Sequence, residues 1–408
     1  MKIAVIGSGI SGLASAFYLS KKYKVDLFEQ EDHFGGHAFT YDIQSENKTI
    51  PVDLGFIVFN ELTYPNLINL FKELSVPFEK SDMSFSVSIK NSKIEYSGRG
   101  LNAIFANKLN IFNLSFLKMI KEIIVFYNTA PKLLKNNLEG LTLGSYLEKK
   151  NFSKYFIEFH IIPMVAAIWS MPFSNAKKMP LKLFLQFFVN HGLFKFKNRP
   201  QWYTVFNRSR TYVKKILPQI SGEIFKNYRI NKIIRNDNNV RLKMENEYLD
   251  YDHVILASHA DQSLQLLESP SSDEKKILGR FKYISNLAVL HTEEELMPQK
   301  KIAWSSWNSI SQEKQTCVTY WLNKLQNLKC ETNYFLTLNP ICKIPESKLI
   351  KKVNFTHPYF NSETLIYQKE LNSLQGKKRA WYCGAYFGYG FHEDGIKSAI
   401  NLTKNFKI

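Results

Sequence analysis

The sequence predicts an α/β chain in which a parallel-sheet domain is interrupted by an inserted α+β domain. Three observations predict it. Residues 2–6 and 24–28 are short apolar runs separated by a helical pattern at Leu13, Ala16, Phe17 and Leu19. That unit has the length of a βαβ crossover, whose parallel strands need an intervening helix. From about 101 to 212 the pattern changes to amphipathic helices rich in Phe, Leu, Ile and Lys, and strand patterns return at 224–234, 240–244 and 252–257. At 408 residues the chain is too long for one ordinary domain, and no repeat, heptad array or low-complexity linker divides it. The second domain is therefore expected inside the first. The expected division gives 1–75, 220–275 and 375–408 to the parallel-sheet domain and 76–219 with 276–374 to the insertion.

The first turn carries the chemistry. Gly7-Ser8-Gly9-Ile10-Ser11-Gly12 follows the first strand and opens the first helix, the context in which G-x-G-x-x-G marks a Rossmann-like dinucleotide site. Gly7 permits the tight turn, Gly9 lets a pyrophosphate approach where a Cβ would collide, and Gly12 lets the helix pack closely on the strand. Phosphate charge then meets unpaired N–H groups at the helix start, by Ile10 and Ser11. Glu29, followed by Gln30, ends the second strand at the spacing of the acid that bonds the adenosine ribose hydroxyls. Six residues past Glu29, Gly35-Gly36 forms a second close-approach turn, followed by His37; an NAD enzyme has no need of it. With no second complete fingerprint in the chain, one resident dinucleotide, FAD, reduced directly by the substrate, is expected.

The later elements follow in order. Residues 50–100 read as short strands and turns with one helix at 64–74, and helices are expected at 111–127 and 181–196. In the latter, Phe184, Phe187, Phe188, Phe194 and Phe196 stand among Lys182, Lys195 and Lys197. That pattern has two readings: a helix lying on an anionic bilayer, or an ordinary amphipathic helix packed on the second domain. Asn238-Asn239 is expected to turn a hairpin between the strands on either side.

Composition narrows the function classes. Apolar residues make up 45% and aromatics 14%, enough for packed cores and against wholesale disorder. The four cysteines show neither C-x-x-C spacing nor disulfide-scaffold density, which fits reduced thiols in a cytoplasm and no zinc ribbon; no metal site is expected. The net charge of +18 attracts polyanionic surfaces, yet no helix-turn-helix, RRM or zinc module points to nucleic acid. An anionic membrane surface is the other partner that charge would answer, unless it is only a lysine-biased composition. No apolar stretch reaches the ~18 residues that span a bilayer. The start of the chain imitates a signal peptide, but Gly7, Gly9 and Gly12 interrupt it at the phosphate-turn spacing, so retention in the cytoplasm is expected, with a peripheral place on the inner face of the membrane as its extension.

These features resemble the FAD-dependent amine oxidase and phytoene desaturase superfamily. The likeness rests on Gly7 to Gly12 with Glu29 and Gly35-Gly36, on Asp53-Leu54-Gly55-Phe56 as its D-x-G turn, and on Ile230, which matches the apolar position at the adenine. Residues 252–257, ending in Ala257, are similar to the strand that re-enters the FAD domain. His37 departs from the family, where many amine oxidases carry Arg. The segment from Trp381 to Gly395 looks like the closing FAD motif of a bacterial subgroup of flavoproteins. That subgroup's pattern is also visible in Arg199-Pro200-Gln201-Trp202, Ser209-Arg210-Thr211-Tyr212 and Trp304-Ser305-Ser306-Trp307-Asn308.

The resemblance implies an amine-oxidase-like fold with FAD held by these residues together with Gly384, Ala385, Phe391, Asp394 and Gly395. It implies dehydrogenation of an acyl chain, such as a methylated unsaturated chain of a membrane phospholipid, by hydride transfer to flavin N5. A fatty-acid double-bond isomerase, an amine oxidase and a flavoprotein scaffold without turnover are the alternatives. A helix beginning near Gly395 would aim its positive end at the flavin, with Asp394 as its cap. His392 reads as a base or as a hydrogen-bonded structural group. Tyr386 and Tyr389, with Phe387 and Phe391, read as the substrate-side wall if the segment is extended, or as core.

Overall fold

A computed structural model describes residues 1–406 except 46–47, 93, 170 and 313–314. Strand Lys2–Ile6 lies at the centre of a parallel five-stranded sheet. It pairs with Lys24–Phe28 on one side, Ile6 opposite Phe28, and with His253–Leu256 on the other. Ile224–Phe225 and Ala380–Tyr382 form the edges. Both faces of this sheet are covered, so its strands are continuous apolar runs rather than alternating ones. Ile3 and Val5 point into a core with helices Ile10–Ser20 and His392–Asn405. Ala4 and Ile6 point the other way, into a core around Phe281 and Tyr382. The two helices pack on one another at Gly395, where a Cβ would come within 2.8 Å of Ile10 and Ser11 side chains.

The second layer is a mainly antiparallel seven-stranded sheet. Lys282–His291 and Leu349–Tyr359 occupy one end of it, and Phe85–Ile89 and Ile94–Ser97 the other. Helices Leu114–Thr129, Ile162–Trp169 and Leu181–Asn190 close around a core that includes Phe116, Phe126, Phe184 and Phe188. No helix of the described residues is long and apolar enough to cross a membrane.

Two expectations are corrected and one open reading is settled. The helix expected over 181–196 stops at Asn190, because Gly192 takes a φ of +64°, the left-handed conformation that ends helices. Phe184, Phe187, Phe188 and Phe194 are buried and only Phe196 is exposed, so of the two readings of this helix the packed one holds and the bilayer one is set aside. The strand expected over 224–234 is two strands, Ile224–Phe225 and Lys232–Arg235. The hairpin that follows does form, with Arg235 opposite Val240.

Candidate active site

One continuous cavity of about 880 Å³ runs from the glycine turn into the aromatic interior of the helical layer. This volume lies toward the upper end of ligand pockets, about 300–1,000 Å³. Its first part is built by the strand-turn-helix unit. Gly7 has a φ of +98°, and a Cβ on Gly12 would sit 1.8 Å from the Gly7 carbonyl oxygen. Gly9, in contrast, has nothing within 4 Å of its Cβ direction, and no side chain caps the helix that starts after it. Its N–H groups and dipole are therefore left for an anion. A Cβ on Gly36 would come 3.1 Å from the Gly9 Cα, and Gly35 donates its N–H to the Ser8 carbonyl. Glu29 accepts from the Ser8 N–H at 2.9 Å and the Ser8 hydroxyl at 2.6 Å, tying the second strand to the turn. Beside it, the Tyr228 N–H donates to the Glu29 carbonyl, which brings Arg229 and Ile230 to the wall.

The middle of the cavity is made by contacts distant in sequence. Gly55 lies so close to His37 that a Cβ would fall 2.2 Å from its carbonyl oxygen, and the Phe56 N–H donates to that oxygen at 2.6 Å. Asp53 holds this turn from behind: its carboxylate accepts from the Ser209 N–H and hydroxyl and from the Thr40 hydroxyl. Burial pushes Asp53 up to about 6. The His37 ring lies 5.1 Å from Phe355 and from His357. Burial lowers His37 and His259 to about 4 and His357 to about 3, so these imidazoles are neutral at pH 7 and hydrogen-bond without adding charge.

The closing segment corrects two expectations. The last helix begins at His392 with Phe391 at its cap position; Asp394 is its third residue and reaches back, accepting from the Tyr389 and Phe391 N–H groups at 2.9 Å each. Burial raises Asp394 to about 7. The segment before it is not extended, because Ala385–Phe387 is a 3-10 turn. Tyr386 therefore enters the core beside Phe281 with one edge on the cavity, while Tyr389 and Phe391 face the helical layer. His392 lines the cavity, stacked on Phe56 at 3.7 Å, with its Nε2 2.7 Å from the Tyr212 hydroxyl. Burial holds it at about 3. A neutral ring fixed by a stack and a phenol matches the structural reading better than the base.

Of the residues expected at the cofactor, Gly12, Gly35, Asp394 and Gly395 stand behind the wall, where they shape it. Gly7, Gly9, Ile10, Ser11, Glu29, Gln30, Gly36, His37, Gly55, Phe56, Ile230, Ala257, Gly384, Ala385 and Phe391 line it, as do Tyr386, Tyr389 and His392. The sequence missed His259, His357, Tyr127, Trp169 and His191, which also line it. No local motif marks them; strand pairing and helix packing bring them in.

Four buried polar atoms on the wall have no hydrogen-bond partner among the described residues: His37 Nε2, the Tyr386 hydroxyl, and the indole nitrogens of Trp169 and Trp307. Buried polar groups are nearly always paired, so these four can take a partner from water or from a bound molecule in the cavity. In the far half, lined by Tyr127, Met164, Trp169, Phe187, Leu193 and Phe391 among others, the charged side chain is Arg199. Glu29, at the other end, is the cavity's one carboxylate among the described residues.

Comparison with known proteins finds likenesses in sequence and in fold. The family of NAD(P)-binding Rossmann-like domains matches residues 5–74. A 1-hydroxycarotenoid 3,4-desaturase from Flavobacterium sp. (strain P99-3) is 29% identical over 223 residues, 52% of this chain and 39% of the desaturase. The match thus spans well under half the length of that relative. The solved structure of a CLA-producing fatty acid isomerase from P. acnes superposes with a TM-score of 0.71 over 100% of this chain and 98% of its own, at 13% identity. Putrescine oxidase bound to putrescine does so with 0.72 over 99% of both chains, at 11% identity. The chain shares the fold of these two solved structures.

Proposed function

We propose that this protein is an FAD-dependent oxidoreductase that dehydrogenates the carbon chain of an acyl substrate bearing an anionic end. The observation that carries the substrate class is the far half of the cavity: aromatic and aliphatic walls, Arg199 as its charged group, and no carboxylate among the described lining residues. An amine substrate would find no anion there to offset the cost of desolvating its charge. An acyl chain finds apolar wall along its length, and its carboxylate or phosphate end finds a guanidinium.

The residues of the first half fit FAD. The turn Gly7 to Gly12 and the uncapped helix start suit the pyrophosphate, Glu29 the ribose, and Ile230 the adenine; His37 Nε2 and the Tyr386 hydroxyl are unpaired polar atoms on the wall. FAD, when bound, supplies the two-electron acceptor that removal of hydrogen from a C–H bond requires. The protein's own part is placement and exclusion of water. Phe187, Phe391 and Trp169 close the wall around the chain, and Tyr212 fixes His392 in one orientation. The positive end of helix His392–Asn405 borders the cavity and favours negative charge there.

An anaerobic mixture of the flavin-loaded protein with acyl substrates tests this. A methylated unsaturated acyl chain, offered as free acid and as phospholipid, is expected to bleach the oxidised flavin, and putrescine and benzylamine are expected to leave it yellow. The reverse pattern would sink the reading. Product formation without lasting bleaching would favour a double-bond isomerase in the same cavity. Because Arg199 is exposed at its place on the wall, its contact is screened and worth about 0.2–1 kcal/mol. Arg199→Gln is expected to raise KM by roughly 1.4- to fivefold with kcat little changed.

A further inference from the structure

We infer that the surface formed by residues 101–125 docks on an anionic lipid bilayer, with helix Leu114–Thr129 lying in the plane of the interface. The inference concerns a surface outside the cavity and stands whether or not the redox reading does. Among the described residues, eight of the seventeen exposed large apolar side chains fall in this stretch. Phe112 is 82% exposed, Leu114 81%, Leu101 74% and Leu109 73%. Scattered exposed apolar residues are ordinary, but a contiguous group of this kind marks an interaction site.

The helix explains why the group is contiguous. Its inner face, Phe116, Met119, Ile123, Phe126 and Tyr127, is buried in the helical core. At helical spacing the opposite face presents Leu114, Leu117, Lys118, Lys121, Ile124 and Val125, every one of them exposed. A surface helix normally turns polar residues outward. Here the outward face alternates apolar side chains with lysines, the pattern that sinks methyl groups among lipid tails while ammonium groups reach phosphates.

Charge selects the occupant. Residues 99–121 hold Arg99, Lys108, Lys118 and Lys121 and no Asp or Glu. The next acid, Glu122, is engaged with the Ser153 N–H and hydroxyl. A second copy of this chain would bring the same cations against themselves in a two-fold contact, whereas an anionic bilayer complements both the charge and the apolar groups. The cavity lies on the other side of this helix. Tyr127, on the same helix, lines it and stacks at 5.3 Å on the exposed Phe196, near Arg199.

Flotation of the full chain with vesicles of phosphatidylcholine, alone or mixed with phosphatidylglycerol, tests the inference. The parent is expected to float with the mixed vesicles and to be released at high salt. Lys118→Glu/Lys121→Glu is expected to weaken partitioning about tenfold or more, and Phe112→Ser/Leu114→Ser to weaken it comparably. Lys351→Glu/Lys352→Glu, on the strand at the opposite edge of the seven-stranded sheet, is expected to float like the parent. All these positions are exposed, so the variants should keep the parent's circular dichroism. Flotation indifferent to lipid charge, or equal loss in the control pair, would overturn the inference. So would a parent that does not float but forms a dimer which Phe112→Ser/Leu114→Ser dissociates; that surface would then belong to a second copy.

Discussion

Gly9→Val is expected to fold as the parent does and to purify without dinucleotide, whereas Gly12→Val is expected not to fold. The two glycines belong to one six-residue motif, yet they meet different neighbours. A Cβ at Gly9 has nothing within 4 Å, and the backbone there, at φ −61° and ψ 176°, suits any residue. The added side chain would occupy the space that a pyrophosphate needs. At Gly12 the Cβ would lie 1.8 Å from the Gly7 carbonyl oxygen, a backbone contact that no side-chain movement relieves. Excess FAD at about 100 times its dissociation constant would stabilise the parent by about 2.7 kcal/mol. Gly9→Val, with affinity reduced about hundredfold or more, should show little of that rise in Tm. Should Gly9→Val retain the parent's FAD affinity, the pyrophosphate does not lie against this turn.

The second large effect is acid lability of the cofactor-free chain. Seven histidines, the buried His160, His191, His291 and His392 and the half-buried His37, His259 and His357 of the cavity wall, are held at about 3 to 4, each mainly by desolvation. Their unfolded value is about 6.5. A base whose folded value is depressed stabilises the fold fully above the unfolded value and loses that contribution as pH falls below it. Burial displaces Asp53, Asp394 and Glu393 upward, which acts in the opposite direction and offsets up to three protons. The histidines outnumber these acids, so below about pH 6.5 the unfolded chain binds more protons than the folded one and stability falls with pH. Against a total stability of about 5–15 kcal/mol, the chain is expected to lose stability steadily as pH falls from about 6.5 towards 4. Urea midpoints measured from pH 7.5 downward check this; a midpoint constant to pH 4.5 would mean that these imidazoles are hydrated and titrate normally.

Much of the first half of the cavity was legible in the sequence because its constraints are local. A phosphate turn needs glycines at fixed spacing after a strand, and an acid at the end of the next strand, so Gly7, Gly9 and Glu29 announce themselves. The strand order was not legible. Pairing of Lys2–Ile6 with His253–Leu256 is a contact across some 250 residues, and nothing in either run specifies the other.

The helical half left two readings open for a related reason. Apolar periodicity reports that a helix has a face to cover, not what covers it. Phe184, Phe187 and Phe188 turned out to be covered by protein, while the uncovered apolar side chains sit on Leu114–Thr129, where one helix carries two apolar faces and the simple periodic signal is blurred. His392 shows the same limit at a single residue. Its position beside the closing glycines was readable, but the Phe56 stack and the Tyr212 hydrogen bond that hold it neutral come from segments more than 150 residues away.

Titration of FAD into the purified, cofactor-free protein, followed by quenching of flavin fluorescence, tests most directly the claim that one cavity serves a resident flavin and its substrate. The expected result is saturation at one FAD per chain, with the spectrum of the bound flavin then perturbed by an acyl carboxylate and not by putrescine. A chain that stays folded and takes up no FAD would contradict it.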